Sequence, residues 1–283
     1  MTEPAAARAA GPVAGPGRLW PSREDFRALA QPGALIPVAR EIPADLETPV
    51  SAFLKIHRGP YGFLLESVVG GERWGRFSFL GTEPARVFRV RGRRVEIETP
   101  GGATETLETD DPMGTLERLI AEHRPLAVPD LPRFAGGAVG YVGYDMVRTF
   151  ERLPVQATDD LGLPEAHLML ADTVLAFDNV SLTITAVTHA RVADGAPPDA
   201  AWEAAVSRLD GLLGRLNAPV VPSTPVPAPP TEPVSSVTPE RYMADVERVK
   251  EYIRAGDVIQ VVLAQRFERQ VEHVRRRVHA PQT

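Results

Sequence analysis

The sequence predicts an α+β protein in which antiparallel sheets carry flanking helices. Two hairpin patterns and a set of amphipathic helix patterns within residues 19–217 support that prediction. One hairpin joins Val87-Phe-Arg-Val90 to Val95-Glu-Ile-Glu98 across Gly92. The other joins Thr173–Phe177 to Leu182–Val187 across Asp178-Asn179. Both are short β-rich runs bounded by turn residues. Composition permits a sizeable core, since 43% of the 283 residues are hydrophobic and 24% charged, close to the globular average.

The elements follow in order. Residues 1–18 are rich in Ala, Gly and Pro, lack periodicity and read as a disordered tail. They also lack the basic start and unbroken apolar stretch of an export signal, so the expected location is the cytoplasm. Ser22-Arg-Glu-Asp25 caps a short helix running to about Ala30, because the serine accepts from orphan amides and the acids suit a helix N-terminus. Short apolar runs follow at Leu35–Val38, Gly62–Glu66, Arg76–Leu80 and Ala85–Val90. Asp111-Pro112 opens a helix with Met113, Leu116, Leu119 and Ile120 on one face. A glycine-rich strand is expected at Gly136–Tyr144, with Tyr141, Tyr144 and Phe150 stacked over glycine. It lacks the Gly-Lys-Ser/Thr ending of a phosphate-binding loop. Trp202, Ala205, Val206, Leu209, Leu212, Leu213 and Leu216 then mark an amphipathic helix.

A linker is expected at residues 218–236, where Ala218–Ser235 holds seven prolines and no helix or strand pattern. Thr238-Pro239 starts the next helix, Tyr242, Val246, Val249 and Ile253 share a face, and Gly256 stops it. Val258–Phe267 reads as a strand with Gln260, Val262, Ala264 and Arg266 on one side. One helix and one strand cannot close a domain, so residues 237–268 read as the start of a truncated second domain. Residues 269–283 are polar, carry Arg275-Arg-Arg277 and read as a divergent tail.

Composition excludes several functions. No apolar stretch is long enough to span a membrane. With no cysteine, thiolate metal sites and thiol nucleophiles are excluded. The six histidines have no helix or finger ligand spacing. A net charge of −6 argues against a nucleic-acid surface.

Three segments together resemble the anthranilate synthase component I family of chorismate-using enzymes. They are Phe63-Leu-Leu-Glu-Ser67 with Arg76-Phe-Ser-Phe-Leu-Gly81, then Phe134–Pro154 with its Gly136-Gly-Ala-Val-Gly140 core, then Tyr252–Phe267. The likeness spans roughly residues 20–268. It implies an N-terminal domain over 19–217 that binds L-tryptophan as feedback inhibitor. Leu65, Glu66 and Ser67 match the inhibitor site, with Leu64 and Leu65 beside an indole pocket. A carboxylate and a hydroxyl suit the ammonium and carboxylate of an amino acid.

The same resemblance places Gln260 on the active-site strand. Related enzymes that add water to chorismate carry a lysine there as general base, whereas neutral ammonia is already a nucleophile and a glutamine suffices. The implied reaction converts chorismate and ammonia to anthranilate and pyruvate, the first step of tryptophan biosynthesis. The implied partners are a glutamine amidotransferase subunit, component II, and Mg²⁺ as cofactor. Family metal ligands match nothing in this sequence, so no metal residue is assigned. Ala264 departs from the serine usual in this family and leans toward the aminodeoxychorismate synthase of the folate pathway; a non-catalytic tryptophan-binding module is the other alternative. The purified chain, given chorismate, Mg²⁺ and an ammonium salt, is expected to make no anthranilate; a rise in anthranilate fluorescence contradicts this.

Overall fold

Thr183–Arg191 sets the layout, because its run from Ile184 to Ala190 is buried on both faces save Thr185. A strand without a wet face must lie inside a sheet, with material packed above and below. The computed structural model describes residues 17–66, 75–122, 125–128, 131–155, 158–220 and 231–269. By internal contacts the chain divides into one unit up to Val220 and a second within Val221–Val278.

The first unit holds β1 (Leu19–Trp20), α1 (Arg23–Leu29), β2 (Leu35–Pro43), α2 (Pro49–Ile56), β3 (Gly62–Leu65) and β4 (Phe77–Thr82). β5 (Arg86–Arg91), β6 (Arg94–Glu98), β7 (Thr104–Glu108), α3 (Pro112–Glu122) and β8 (Gly137–Val142) come next. After a 3-10 helix (Tyr144–Thr149) come β9 (Ala166–Ala171), β10 (Thr173–Asp178), β11 (Thr183–Arg191) and α4 (Pro198–Leu216). Two antiparallel sheets result, one ordered β1-β2-β11-β10-β4-β3 and the other β7-β6-β5-β9-β8. Both expected hairpins form, pairing Val90 with Val95 and Phe177 with Ile184.

One face of the larger sheet packs against α1, α2 and α4. Ile36, Val38, Leu80, Leu175, Ile184 and Ala186 meet Phe26, Ile56, Leu209 and Leu212 there. The smaller sheet packs Phe88, Val90, Val95 and Leu168 against Leu116 and Leu119 of α3. A third cluster joins the sheets, with Phe63, Phe79 and Val174 from the larger against Val139, Met169 and Ala171 from the smaller. Caps follow the sequence: Ser22 accepts from the Asp25 amide, and Thr48 with Ser51 forms a reciprocal capping box ahead of Pro49.

Within the second unit, α5 (Pro239–Ala255) begins at Thr238, whose side chain accepts from the Arg241 amide, and ends at Gly256 with φ +83°. No residue of α5 is buried. Two readings need correction. Val258–Phe267 is not a strand: only Phe267–Glu268 pairs, with Val234–Ser235. Among the described residues the rest of that run has no neighbouring strand, and an unpaired β-run leaves its backbone groups to water. Val234–Ser235, in turn, is paired backbone inside the expected linker. Residues 1–16 and 270–283 lie outside the described residues. No helix among those described is long and apolar enough to cross a membrane.

Two buried groups make the fold acid-sensitive. Burial pushes His189 down to about 4, against a weaker upward pull from the Asp172 carbonyl. The unfolded chain therefore takes up a proton between about pH 6.5 and pH 4 that the fold refuses, and stability falls as pH falls through that window. Asp178 behaves as a depressed carboxylate. Burial alone raises it, but the Arg76 guanidinium and the amides of Val180 and Ser181 hold it at about 2. Its contribution is present above the usual carboxylate range and is lost as pH falls toward about 2. Denaturant titrations across pH are expected to show both losses. Asp178→Asn should remove the lower one and cost about 1–2 kcal/mol at pH 7, the partial exposure of Arg76 limiting the figure.

Candidate functional site at the end of strand β3

β3 is the edge strand of the larger sheet and pairs with β4, Leu65 opposite Phe79 and Phe63 opposite Gly81. Alternation sends Phe63, Leu65, Phe77 and Phe79 to one face and Leu64 and Leu80 to the other. Leu64 accordingly packs toward the helices in the main core. It cannot share a pocket with Leu65, which corrects the expectation that both border one. Leu65 is 46% exposed, and Glu66 after it is exposed. Ser67 lies outside the described residues.

Sequence reasoning missed the aromatic surface beside Leu65. Phe77 and Phe79 stack at 5.9 Å, Phe79 meets Phe134 edge-on at 5.5 Å, and Phe63 meets Phe134 edge-on at 6.1 Å. Arg76 lies over the Phe77 ring at 5.0 Å while pairing with Asp178 at 2.5 Å. Gly81 keeps Phe63 in place, because a Cβ there would sit 2.5 Å from the ring. The result is an apolar, partly open lip beside a solvent-facing carboxylate. Such a lip suits a ligand with a flat apolar body and a cationic group.

A second cluster anchors the start of β3. Tyr61 donates to Glu98 at 2.8 Å, and Arg89 donates to both Tyr61 and Glu98. Arg89 and Glu98 belong to the smaller sheet, so Tyr61 ties the edge strand of one sheet to the other. Burial raises the Tyr61 hydroxyl above its ordinary value, and its bond to Glu98 adds to the rise. Burial alone would raise Glu98, yet the bonds from Arg89 and Tyr61 bring it below the usual range.

The glycine-rich strand forms as β8, at the edge of the smaller sheet. A Cβ on Gly140 would lie 2.0 Å from the His167 carbonyl oxygen, so glycine is required by close backbone approach. The aromatics expected over it are elsewhere: Tyr144 is 81% exposed, and Phe150 is exposed too. Phe134, not these, lies against Gly137.

Gln260 belongs to the second unit, is exposed and sits outside any strand. The structure thus keeps Leu65 and Glu66 together and gives Gln260 no formed active-site strand. Among the described residues no group of three acids or histidines is placed to hold a metal ion.

Comparison with known proteins decides the family. Residues 98–280 match the family described as chorismate binding enzyme. The chain belongs to that family. Anthranilate synthase component 1 of Pseudomonas putida is 43% identical over 255 residues, covering 87% of this chain and 51% of that protein. Its counterpart in Pseudomonas aeruginosa is 41% identical over 254 residues, with the same coverage. The crystal structure of anthranilate synthase component I from Streptococcus pneumoniae TIGR4 aligns with a TM-score of 0.55 at 26% identity, over 80% of this chain and 48% of that one. The chain spans about half the length of the curated relatives it matches. Gln260 falls inside the segment matched to chorismate binding enzymes; Leu65, Glu66 and Ser67 precede it.

Tyr61→Phe removes the hydroxyl that joins Glu98 and Arg89 to the start of β3. We expect a loss of about 1–2 kcal/mol in urea denaturation; an unchanged midpoint contradicts the anchoring role.

Proposed function

We propose that these residues belong to an anthranilate synthase component I, which converts chorismate and ammonia to anthranilate and pyruvate at the entry to tryptophan biosynthesis. The observation that carries this reading is the 43% identity to the Pseudomonas putida protein across 87% of the chain. In this reading the protein is cytoplasmic, and a component II amidotransferase supplies ammonia from glutamine. L-tryptophan binds at Leu65, Glu66 and Ser67 and inhibits. Glu66 takes the ammonium through a charge-assisted bond, and the indole lies on the face shared by Leu65, Phe77 and Phe79.

Gln260 is the residue of this chain closest to the chemistry. A neutral amide can orient ammonia by hydrogen bonding without having to remove a proton from it. Mg²⁺ belongs to the proposed activity, where it would neutralise a substrate carboxylate. The described residues do not fit it as ligands.

Two measurements test the reading. A chimera joining residues 1–268 to the remaining segment of the Pseudomonas putida protein should release anthranilate from chorismate, ammonium and Mg²⁺. Aminodeoxychorismate as product would move the chain to the folate-pathway enzyme. Calorimetry of the chain with L-tryptophan should give saturable heat, with Glu66→Gln weakening binding about tenfold or more. Absence of heat at millimolar tryptophan removes the inhibitor site.

A further inference from the structure

A cleft of about 650 Å³ opens in the first unit beside the smaller sheet. Gly92 of the β5–β6 turn, Pro112 of α3, Tyr141 of β8 and Met146 of the 3-10 helix border it. The stretch that runs from Thr158 to Glu165 and into β9 also lines it. Among the described residues it takes no lining from the larger sheet, so it is separate from the surface around Leu65 and Glu66.

The walls are held in place by hydrogen bonds. The Gly143 amide donates to the Glu165 carbonyl at 2.6 Å, and a Cβ on Gly143 would lie 3.0 Å from that oxygen. The Tyr141 hydroxyl donates to the Pro164 carbonyl at 3.0 Å. The Asp159 carboxylate accepts from the amides of Leu161 and Gly162 and turns the chain at Gly162, where φ is +58°. On these fixed walls the large apolar side chains face water. Tyr144 is 81% exposed and Val155 78%, and Tyr141, Leu161 and Leu163 are exposed too. Uncovered apolar side chains gathered in one place mark an interaction site. A small-molecule site encloses most of its ligand. Here the wall side chains protrude instead, which suits a segment of another protein laid across them.

Charge defines that segment. Asp110, Asp145, Asp159, Asp160 and Glu165 line the cleft, against two cations, Arg93 and Arg148. Both cations are already engaged, Arg93 with Asp110 and Arg148 with Asp145, each at 3.0 Å. Asp159 and Glu165 accept from backbone amides, Glu165 from that of Gly92, and neither forms an ion pair among the described residues. The cleft therefore sets surplus negative charge beside uncovered apolar side chains. Such a surface repels an acidic partner and draws a basic one.

We propose that this cleft docks a partner protein through a segment in which a bulky apolar side chain sits between arginines or lysines. The apolar side chain packs against Tyr144, Val155, Leu161 and Leu163, and the flanking cations meet Asp159 and Glu165. The proposal stands independently of the anthranilate synthase reading.

Fluorescence anisotropy of the full 283-residue chain with three labelled peptides tests it. The first peptide is Gly-Arg-Arg-Leu-Arg-Arg-Gly. The second has alanine in place of leucine, and the third has glutamate in place of every arginine. The first should bind with Kd on the order of 100 μM, the second about tenfold more weakly, and the third not measurably. Added salt should weaken the first severalfold. Tyr144→Ser, an exposed change, should weaken the first peptide about tenfold. Asp159→Asn combined with Glu165→Gln keeps both acceptors for the backbone amides and should weaken it by about as much. If that pair does not fold, Tyr144→Ser and the peptide comparison still decide. Glu66→Gln should leave peptide affinity unchanged. Equal binding of the first two peptides reduces the cleft to a charged surface and overturns the proposal. No binding, or full affinity in either cleft variant, overturns it as well. Self-association of the chain that Tyr144→Ser abolishes gives the cleft to a second copy and overturns it too.

Discussion

One carbonyl joins the two sheets of the first unit. The chain leaves β9 at Ala171 and enters β10 at Thr173, so Asp172 alone carries it from the smaller sheet to the larger. A single-residue crossover leaves its carbonyl buried and in need of donors. His189 supplies two, its backbone N–H at 3.1 Å and its ring Nδ1 at 3.0 Å. These two hydrogen bonds from one residue to one oxygen explain why a histidine is buried in this strand. They also explain Gly136, since any side chain there would collide with the ring. The consequence is an imidazole held neutral and in one tautomer, with its second nitrogen buried and without a hydrogen-bond partner among the described residues.

The same economy positions β3. An edge strand of four residues has little pairing of its own. It is fixed at its start by Tyr61, which reaches Glu98 and Arg89 of the other sheet, and along its length by Phe63 wedged against Phe134. Fixing the strand at one end leaves Leu65 and Glu66 presented at the other. Aromatic rings on the same face and a free carboxylate just beyond them give this corner its ligand-like chemistry. That chemistry agrees with the inhibitor role proposed for it and does not by itself require chorismate.

Local chemistry was legible in the sequence wherever one short segment contained the whole signal. Ser22, Thr238 and Gly256 end their helices as their side chains, or lack of one, dictate. Gly92 and Asp178-Asn179 turn their hairpins for the same reason. The signal at Thr48-Pro49 was equally local and went unread, though it opens α2. β7 (Thr104–Glu108) escaped because an edge strand with four polar residues shows no apolar alternation. β9 escaped because Ala-His-Leu-Met-Leu-Ala fits a helix as well as a strand. Val258–Phe267 failed in the opposite direction: its alternation is strong, but a strand is a property of two segments, and among the described residues only Val234–Ser235 pairs with its end. The aromatic cluster beside Glu66 unites Phe63, Phe77, Phe79 and Phe134 from three separate stretches, so no window of sequence could display it.

His189 is a neutral tie, protonated on Nδ1, bonded to the Asp172 carbonyl and resistant to a second proton until about pH 4. Nitrogen-detected NMR of the histidine rings tests it most directly. The account predicts a ring with its proton on Nδ1 at neutral pH that stays neutral until about pH 4. A His189 ring protonated on Nε2, or one that titrates near the ordinary value of about 6.5, would contradict it.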